Sequence, residues 1–106
     1  MPNSKYSLKF TPKAADDLDE IFDCIAVRLF AETAAELLMD KIEDAFTKLK
    51  DYPFSGSYVF DEPLKSRGYR KLIIDNYIAF YLIDEFEKQV VIMRVLYGAS
   101  NYINIL

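Results

Sequence analysis

The residues of this chain that could do chemistry are mainly cations and tyrosines, because histidine is absent. Lys65, Arg67, Arg70 and Lys71 fall within seven residues, a spacing that favours a local basic patch able to attract an anionic partner. Arg94 interrupts an apolar run, and burying an unpaired guanidinium is costly. Two alternatives remain open for Arg94: an ion pair with a carboxylate of a helix or loop, or exposure as a cation beside Arg70.

The missing residue types exclude several kinds of site. Without histidine the chain lacks the commonest general base, a Ser-His type of triad and most transition-metal sites. The single cysteine, Cys24, excludes an intramolecular disulfide and a cysteine-based zinc site, and we interpret it as a packed thiol. We therefore expect neither a metal nor a cofactor.

Tyrosines could also contribute to a binding site. Tyr69, Tyr77, Tyr81, Tyr97 and Tyr102 are numerous enough to stack on bases, but such residues more often pack in cores or protein interfaces. A net charge of −4 argues against nucleic acid as a partner.

Length and hydropathy set the class of protein. A chain of 106 residues can bury one core but not two, so we predict a single domain over residues 1–106. No apolar run reaches the ~18 residues of a membrane span, and the first ten residues lack a signal-peptide pattern. The sequence therefore predicts a cytoplasmic protein with no membrane partner.

A sheet in the second half of the chain is predicted to position most of these residues. Runs of β-branched and aromatic residues at 69–74, 77–83 and 90–97 predict three consecutive antiparallel strands. Asp75-Asn76 between the first two suits a two-residue hairpin, because both residue types tolerate positive φ.

Two helices are predicted before this sheet. Thr11-Pro12 follows a short alternating strand at 5–10 and predicts the N-cap of a helix over 12–30. The acidic residues that follow suit the positive end of the helix dipole, and we expect acidic side chains on the outer faces of the helices to be solvated. Thr33 to Glu36 has the form of a capping box and predicts a second helix over 33–51. Residues 53–67 are predicted to be a loop.

The order β-αα-βββ predicts an α+β fold in which a helical hairpin packs on a four-stranded, mainly antiparallel sheet. The first strand would pair with the last strand to complete that sheet. The helices would cover one face of the sheet and leave the other face partly open.

The chain resembles the RelE/ParE family of toxins from type II toxin–antitoxin systems. The resemblance spans essentially the whole chain and rests on the order of elements together with three stretches. These are Leu49…Pro53…Gly56, Tyr69-Arg70-Lys71-Leu72…Tyr77…Phe80-Tyr81 and Ile92-Met93-Arg94-Val95-Leu96-Tyr97-Gly98. It implies neutralisation by a cognate antitoxin in a hetero-oligomer. RelE-like members cut mRNA on the ribosome, whereas ParE-like members poison DNA gyrase.

The resemblance also implies which residues would act in a nuclease. RNA cleavage needs a base, cations for the phosphate and an acid for the leaving oxygen. Glu62 lies in a Glu-Pro-Leu-Lys pattern similar to that of YoeB-like members and would be the base, Arg70 and Arg94 the cations, and Tyr97 the acid or stacking surface. Ile78, however, stands where both nuclease branches place an arginine.

The resemblance therefore implies a RelE/ParE toxin closer to ParE-like members and acting on gyrase. The alternatives are a ribosome-dependent mRNA endonuclease and a non-toxic module that only binds an antitoxin. The residues predicted to contact the partner are Arg67, Arg70, Lys71, Tyr77, Tyr81 and Tyr102.

Overall fold

Two helices packed on a mixed sheet form the architecture of the computed structural model, which describes residues 5–98. Its main elements are β1 (Ser7–Phe10), α1 (Pro12–Asp23), α2 (Glu32–Asp51), β2 (Ser57–Tyr58), α3 (Glu62–Ser66), β3 (Arg70–Ile74), β4 (Tyr77–Asp84) and β5 (Gln89–Tyr97). A π-helical turn, Cys24–Arg28, continues α1, and a 3₁₀ turn, Pro53–Ser55, follows α2. The predicted α+β fold is confirmed. No helix in this part of the chain is long and apolar enough to cross a membrane.

The sheet has five strands in the order β1-β5-β4-β3-β2. As predicted, β3, β4 and β5 form an antiparallel meander and β1 pairs with β5, in parallel register from Ser7↔Gln89 to Phe10↔Ile92. Asp75 takes a φ of 53° in the two-residue hairpin between β3 and β4, as its residue type suggested. The predicted number of four strands is wrong by one, because β2 has only two residues and is too short to give an alternating pattern.

The helix boundaries differ from the predictions in two places. Thr11 is the N-cap of α1, and its hydroxyl accepts from Ala14 N–H at 3.0 Å while donating to the Met93 carbonyl at 2.8 Å. The α-helix ends at Asp23 rather than near residue 30, because the next turn is π-helical. The predicted capping box is wrong, since α2 already begins at Glu32 and its N-cap makes no side-chain hydrogen bond.

The predicted loop after α2 is partly ordered structure. Residues 53–67 contain the 3₁₀ turn, β2 and the short helix α3. Asp61 caps α3, with its Oδ2 accepting from Leu64 N–H at 3.2 Å, and a proline follows within the first turn. This cap-and-proline signal was readable in the sequence.

Two apolar clusters occupy the two faces of the sheet. The main core lies between the helices and one sheet face and includes Ile42, Phe46 and Tyr81. A smaller cluster on the opposite face joins four buried residues, Val59, Leu64, Tyr69 and Phe80. The face that the sequence predicted to be partly open is therefore covered in part by the chain itself, through the segment that carries α3.

Gly56 fixes the path of the chain between α2 and β2. Its amide donates to the Tyr81 hydroxyl at 3.1 Å, and that hydroxyl donates to the Pro53 carbonyl at 2.9 Å. Tyr81 is fully buried, so both hydrogen bonds lie in the core, where an unsatisfied polar group would be costly. This junction holds the loop against the sheet.

Replacing Gly56 by alanine should destabilise the fold. The new Cβ would overlap the Tyr81 hydroxyl and lie 2.5 Å from the Lys71 carbonyl oxygen. Overpacking of this kind costs about 1–3 kcal/mol, and each kcal/mol lowers the Tm of a domain of this size by about 4–8 °C. The control is Gly98→Ala, whose Cβ would meet the Asn76 carbonyl oxygen at 3.2 Å. Thermal melts that show Gly56→Ala to be no worse than Gly98→Ala would contradict the proposed role of this junction.

Candidate functional site

Arg94 is held by a buried carboxylate on α1. Its Nε and Nη2 donate to the two oxygens of Asp17 at 2.7 and 2.8 Å, and the backbone N–H of Val95 donates to the same carboxylate at 3.0 Å. The side chains of Arg94 and Asp17 are only 18% and 10% exposed. The hydrogen bond that the guanidinium donates to Asp17 raises the pKa of Arg94. Of the two alternatives for Arg94, the ion pair is the one observed.

A β-bulge in β5 allows the side chain of Arg94 to turn toward Asp17 on α1. Phe80 lies opposite Arg94 whereas Tyr81 lies opposite Ile92, so Met93 is an extra residue on β5. Such a bulge re-aims the side chains around it. Ile92 and Val95 both face the main core although they are three positions apart, and the guanidinium between them turns toward α1.

Asp17 is the site residue that sequence reasoning missed. The expectation that the acidic residues of α1 serve the helix dipole and stay solvated is wrong for this residue, which is 8% exposed. A signal was present, because Asp17 falls at helical spacing among Ala14, Leu18 and Ile21, which face the core. A carboxylate inside such an apolar stripe indicates a buried partner.

Arg70 anchors the loop that precedes β2. Its Nη2 donates to the carbonyl oxygens of Phe54 and Gly56, at 3.1 and 2.5 Å. The guanidinium carbon lies 5.4 Å from the ring centroid of Phe54 and 4.4 Å from that of Tyr58. Because Arg70 pairs in register with Tyr81, its side chain leaves β3 on the helix-covered face, not on the opposite face.

Lys71 and Arg67 lie near the smaller apolar cluster, on the other face of the sheet. Lys71 pairs in register with Phe80, which belongs to that cluster, and its Nζ lies 4.7 Å from the Phe60 ring centroid. Arg67 is exposed, with its guanidinium 5.2 Å from the Tyr69 ring centroid. Phe60 itself is 86% exposed. These residues form a cationic and aromatic surface around α3.

The four residues predicted for a nuclease do not converge. Glu62 is exposed at the start of α3. Tyr97 pairs in register with Tyr77, whose partner on β3 is Ile74, so four residues of β3 separate its level from that of Arg70. That offset is about 13 Å along the strands. Arg94 is held by Asp17. The four residues therefore form no common centre.

The tyrosines predicted to contact a partner lie in different environments. Tyr77 is half-buried, and its ring meets the 54%-exposed Tyr97 edge to face at 5.8 Å. Burial raises the pKa of the Tyr77 hydroxyl, and the nearby Cys24 and Tyr97 add to the rise. Tyr81 has no exposed surface, so it supports the core rather than offering a contact. Tyr102 lies outside the described residues.

The site's chemistry is that of cations placed on aromatic rings. Among residues 5–98, no group of three or more histidine, cysteine, aspartate or glutamate side chains could hold a metal ion. Arg67 lies near the buried Tyr69 ring and Lys71 near the exposed Phe60 ring, so positive charge and exposed apolar area occur together at Lys71 and Phe60. This combination suits recognition of an anionic protein surface better than acid–base catalysis.

The comparisons with known proteins identify the family. The family model described as ParE toxin of type II toxin–antitoxin system matches residues 8–102. This chain therefore belongs to the ParE family and is a ParE-like toxin of a type II toxin–antitoxin system. A search of curated proteins gave no match.

Solved structures of such systems share the fold. A chain of the chromosomal ParDE system from P. aeruginosa is 27% identical, covers 90% of this chain and 98% of its own, and gives a TM-score of 0.70. A chain of the RelBE2 toxin–antitoxin complex from Mycobacterium tuberculosis is 24% identical, with coverages of 88% and 98% and a TM-score of 0.62. The YoeB/ParE toxin from Agrobacterium tumefaciens is 17% identical, with coverages of 86% and 96% and a TM-score of 0.61. The last two likenesses show the fold alone.

Breaking the pair between Asp17 and Arg94 should destabilise the protein strongly. Asp17→Asn leaves the guanidinium buried without its counter-charge, which typically costs about 3–5 kcal/mol. Urea unfolding measures the loss. Arg94→Met and the double variant complete a cycle in which we expect a coupling of about 0.5–3 kcal/mol.

The exposed pair between Lys41 and Asp75, 3.2 Å apart, provides the control for this cycle. Lys41→Ala should change the free energy of unfolding by less than about 1 kcal/mol. If Asp17→Asn changed the free energy of unfolding as little as Lys41→Ala does, the buried pair would not be structural. Conversely, a large effect means that lost activity in an Arg94 variant reports folding rather than catalysis.

Proposed function

We propose that this ParE-like toxin is cytoplasmic, inhibits growth by poisoning DNA gyrase, and is held inactive by a cognate antitoxin in a plasmid-stabilisation type of system. The observation that carries the choice of gyrase over mRNA is the ion pair between Arg94 and Asp17. It engages the cation that a nuclease would need for the phosphate. The resemblance to ParE-like members then implies gyrase as the target.

The remaining groups would make a weak nuclease. Arg70 already donates to two loop carbonyls, and Ile78 places a neutral side chain where nuclease branches carry an arginine. Losing one charge-assisted donor typically lowers a catalytic rate about 10²–10³-fold. Freeing Arg94 would not help, because it would leave the Asp17 carboxylate buried without its partner. These costs support a mechanism other than RNA cleavage.

Induction of the protein in cells tests this proposal. Growth arrest should be accompanied by the SOS response, and primer extension on mRNA should show no cuts at codon-specific positions. With purified gyrase and supercoiled plasmid, the protein should increase the amount of cleaved DNA. The expected contrast is DNA damage without mRNA cleavage.

The variant Glu62→Gln separates the alternatives. If Glu62 is not a catalytic base, this exposed substitution should leave growth arrest and DNA cleavage unchanged. A nuclease would lose about 10²–10⁴ of its rate with its base. Codon-positioned cuts that disappear in Glu62→Gln would establish the endonuclease instead. The absence of both mRNA cuts and SOS induction would favour a non-toxic antitoxin-binding module.

The surface around α3 is where we propose that the antitoxin binds. Several proteins of similar fold were solved as toxin–antitoxin systems or complexes, which supports a hetero-oligomer for this chain as well. Arg67 and Lys71 lie there with the exposed Phe60, and an acidic segment that orders on binding would cover that ring while pairing with both cations. Arg70 contributes to this site indirectly, through the loop that it anchors.

Charge reversal on this surface should weaken the antitoxin complex. We expect Arg67→Glu and Lys71→Glu each to lower the affinity for the neighbouring gene's antitoxin at low salt by about tenfold, equal to about 1.4 kcal/mol. The matched control is Lys9→Glu on β1, at the opposite edge of the sheet. Titration calorimetry at two salt concentrations measures the change. Equal affinity and salt dependence in all three variants would place the antitoxin elsewhere.

A further inference from the structure

A second surface, on the helix-covered side of the molecule, has the features of a protein-docking groove. It lies where the start of β1, the end of α2, the 3₁₀ turn and the β4–β5 turn meet, and it encloses about 730 Å³. We call it the Tyr6 groove; Lys5, Tyr6, Asp51, Tyr52, Phe54 and Lys88 line it. That volume is within the range of pockets that bury most of a bound group.

The walls of the groove are tied together by the backbone. The Tyr6 amide donates to the Lys50 carbonyl at 3.1 Å, which joins β1 to the end of α2. The Ser7 amide donates to the Lys88 carbonyl at 2.9 Å, which joins β1 to the β4–β5 turn. The backbone around the groove is therefore held in place, which lowers the conformational cost of binding there.

The lining combines aromatic surface with positive charge. Tyr52 is 69% and Phe54 53% exposed, whereas Tyr6 is buried at the floor with the Lys88 Nζ 5.4 Å from its ring centroid. Lys5, which is exposed, supplies a second ammonium group at the rim. Exposed aromatic rings are typical of binding hot spots, and the two lysines add positive charge that favours an anionic partner.

Phe54 extends this groove toward β2. Its ring faces the Arg70 guanidinium, which also lies over Tyr58. An occupant of the groove can therefore continue along an exposed aromatic strip toward β2. This continuity favours an extended polypeptide over a compact small molecule.

We propose that the Tyr6 groove binds an acidic segment of a partner protein, with one apolar side chain inserted against Tyr6 and carboxylates paired with Lys5 and Lys88. Charge complementarity supports this occupant, because the rim carries two ammonium groups in a chain whose net charge is −4. The inference rests on the proposed function only in naming the antitoxin as that partner.

A synthetic peptide provides a probe that needs no knowledge of the partner. The peptide is acetyl-Glu-Glu-Leu-Phe-Glu-Glu-amide, and the full-length ¹⁵N-labelled protein is observed by NMR. Amide shifts should appear at Tyr6, Tyr52, Phe54 and Lys88. Two matched peptides, with lysine in place of glutamate and serine in place of leucine and phenylalanine, should bind at least about tenfold more weakly.

Variants of the protein complete the test. Lys88→Glu should weaken binding of the acidic peptide about tenfold, whereas Lys9→Glu should not, with thermal melts confirming that both variants fold. No shift at millimolar peptide, equal binding of the lysine peptide, or tighter binding of oligo-dT would each overturn the proposal. So would peptide binding seen only after removal of residues 1–4, because the chain itself would then be the occupant. A negative peptide result alongside an intact antitoxin complex would reject this groove while leaving the proposed function standing.

Discussion

The Asp17 carboxylate is the constraint on which the rest of this structure depends. It accepts three hydrogen bonds, two from Arg94 and one from the Val95 amide, and so attaches α1 to a stretch of β5 that β1 does not reach. The Thr11 hydroxyl adds a second link, to the Met93 carbonyl. Together they fix the first helix over the bulged strand. Arg94, which was predicted as a cation of a nuclease site, therefore holds the fold together through Asp17.

Local signals made most of the fold predictable. Thr11-Pro12 defined the start of α1, and Asp75-Asn76 defined the hairpin between β3 and β4, because caps and tight turns depend on neighbouring residues only. Apolar periodicity placed the helices and the meander. The same approach failed where the signal was short or ambiguous: β2 has two residues, and the apparent capping box at Thr33 lies inside α2.

The site was less predictable because its geometry depends on distant residues. Arg94 and Asp17 are 77 positions apart, and nothing in their spacing indicates that they meet. Arg70 and Tyr81 were both predicted to contact a partner. Arg70 is instead held by the loop carbonyls of Phe54 and Gly56, and Tyr81 supports that loop from the core. In each case the residue type was recognisable from the sequence, but its partner was not.

The parallel pairing of β1 with β5 has a consequence for biosynthesis. The partners of β1 are residues 89–92 of β5, which are synthesised about eighty residues later. Arg94, the counter-charge of Asp17 on α1, is synthesised later still. On a translating ribosome the helical hairpin is therefore made long before the strand that secures it, and non-local contacts of this kind close slowly. The newly made chain must pass through an interval in which its apolar helix faces are uncovered. During that interval a molecular chaperone or a cognate antitoxin has access to helix faces that the finished fold buries.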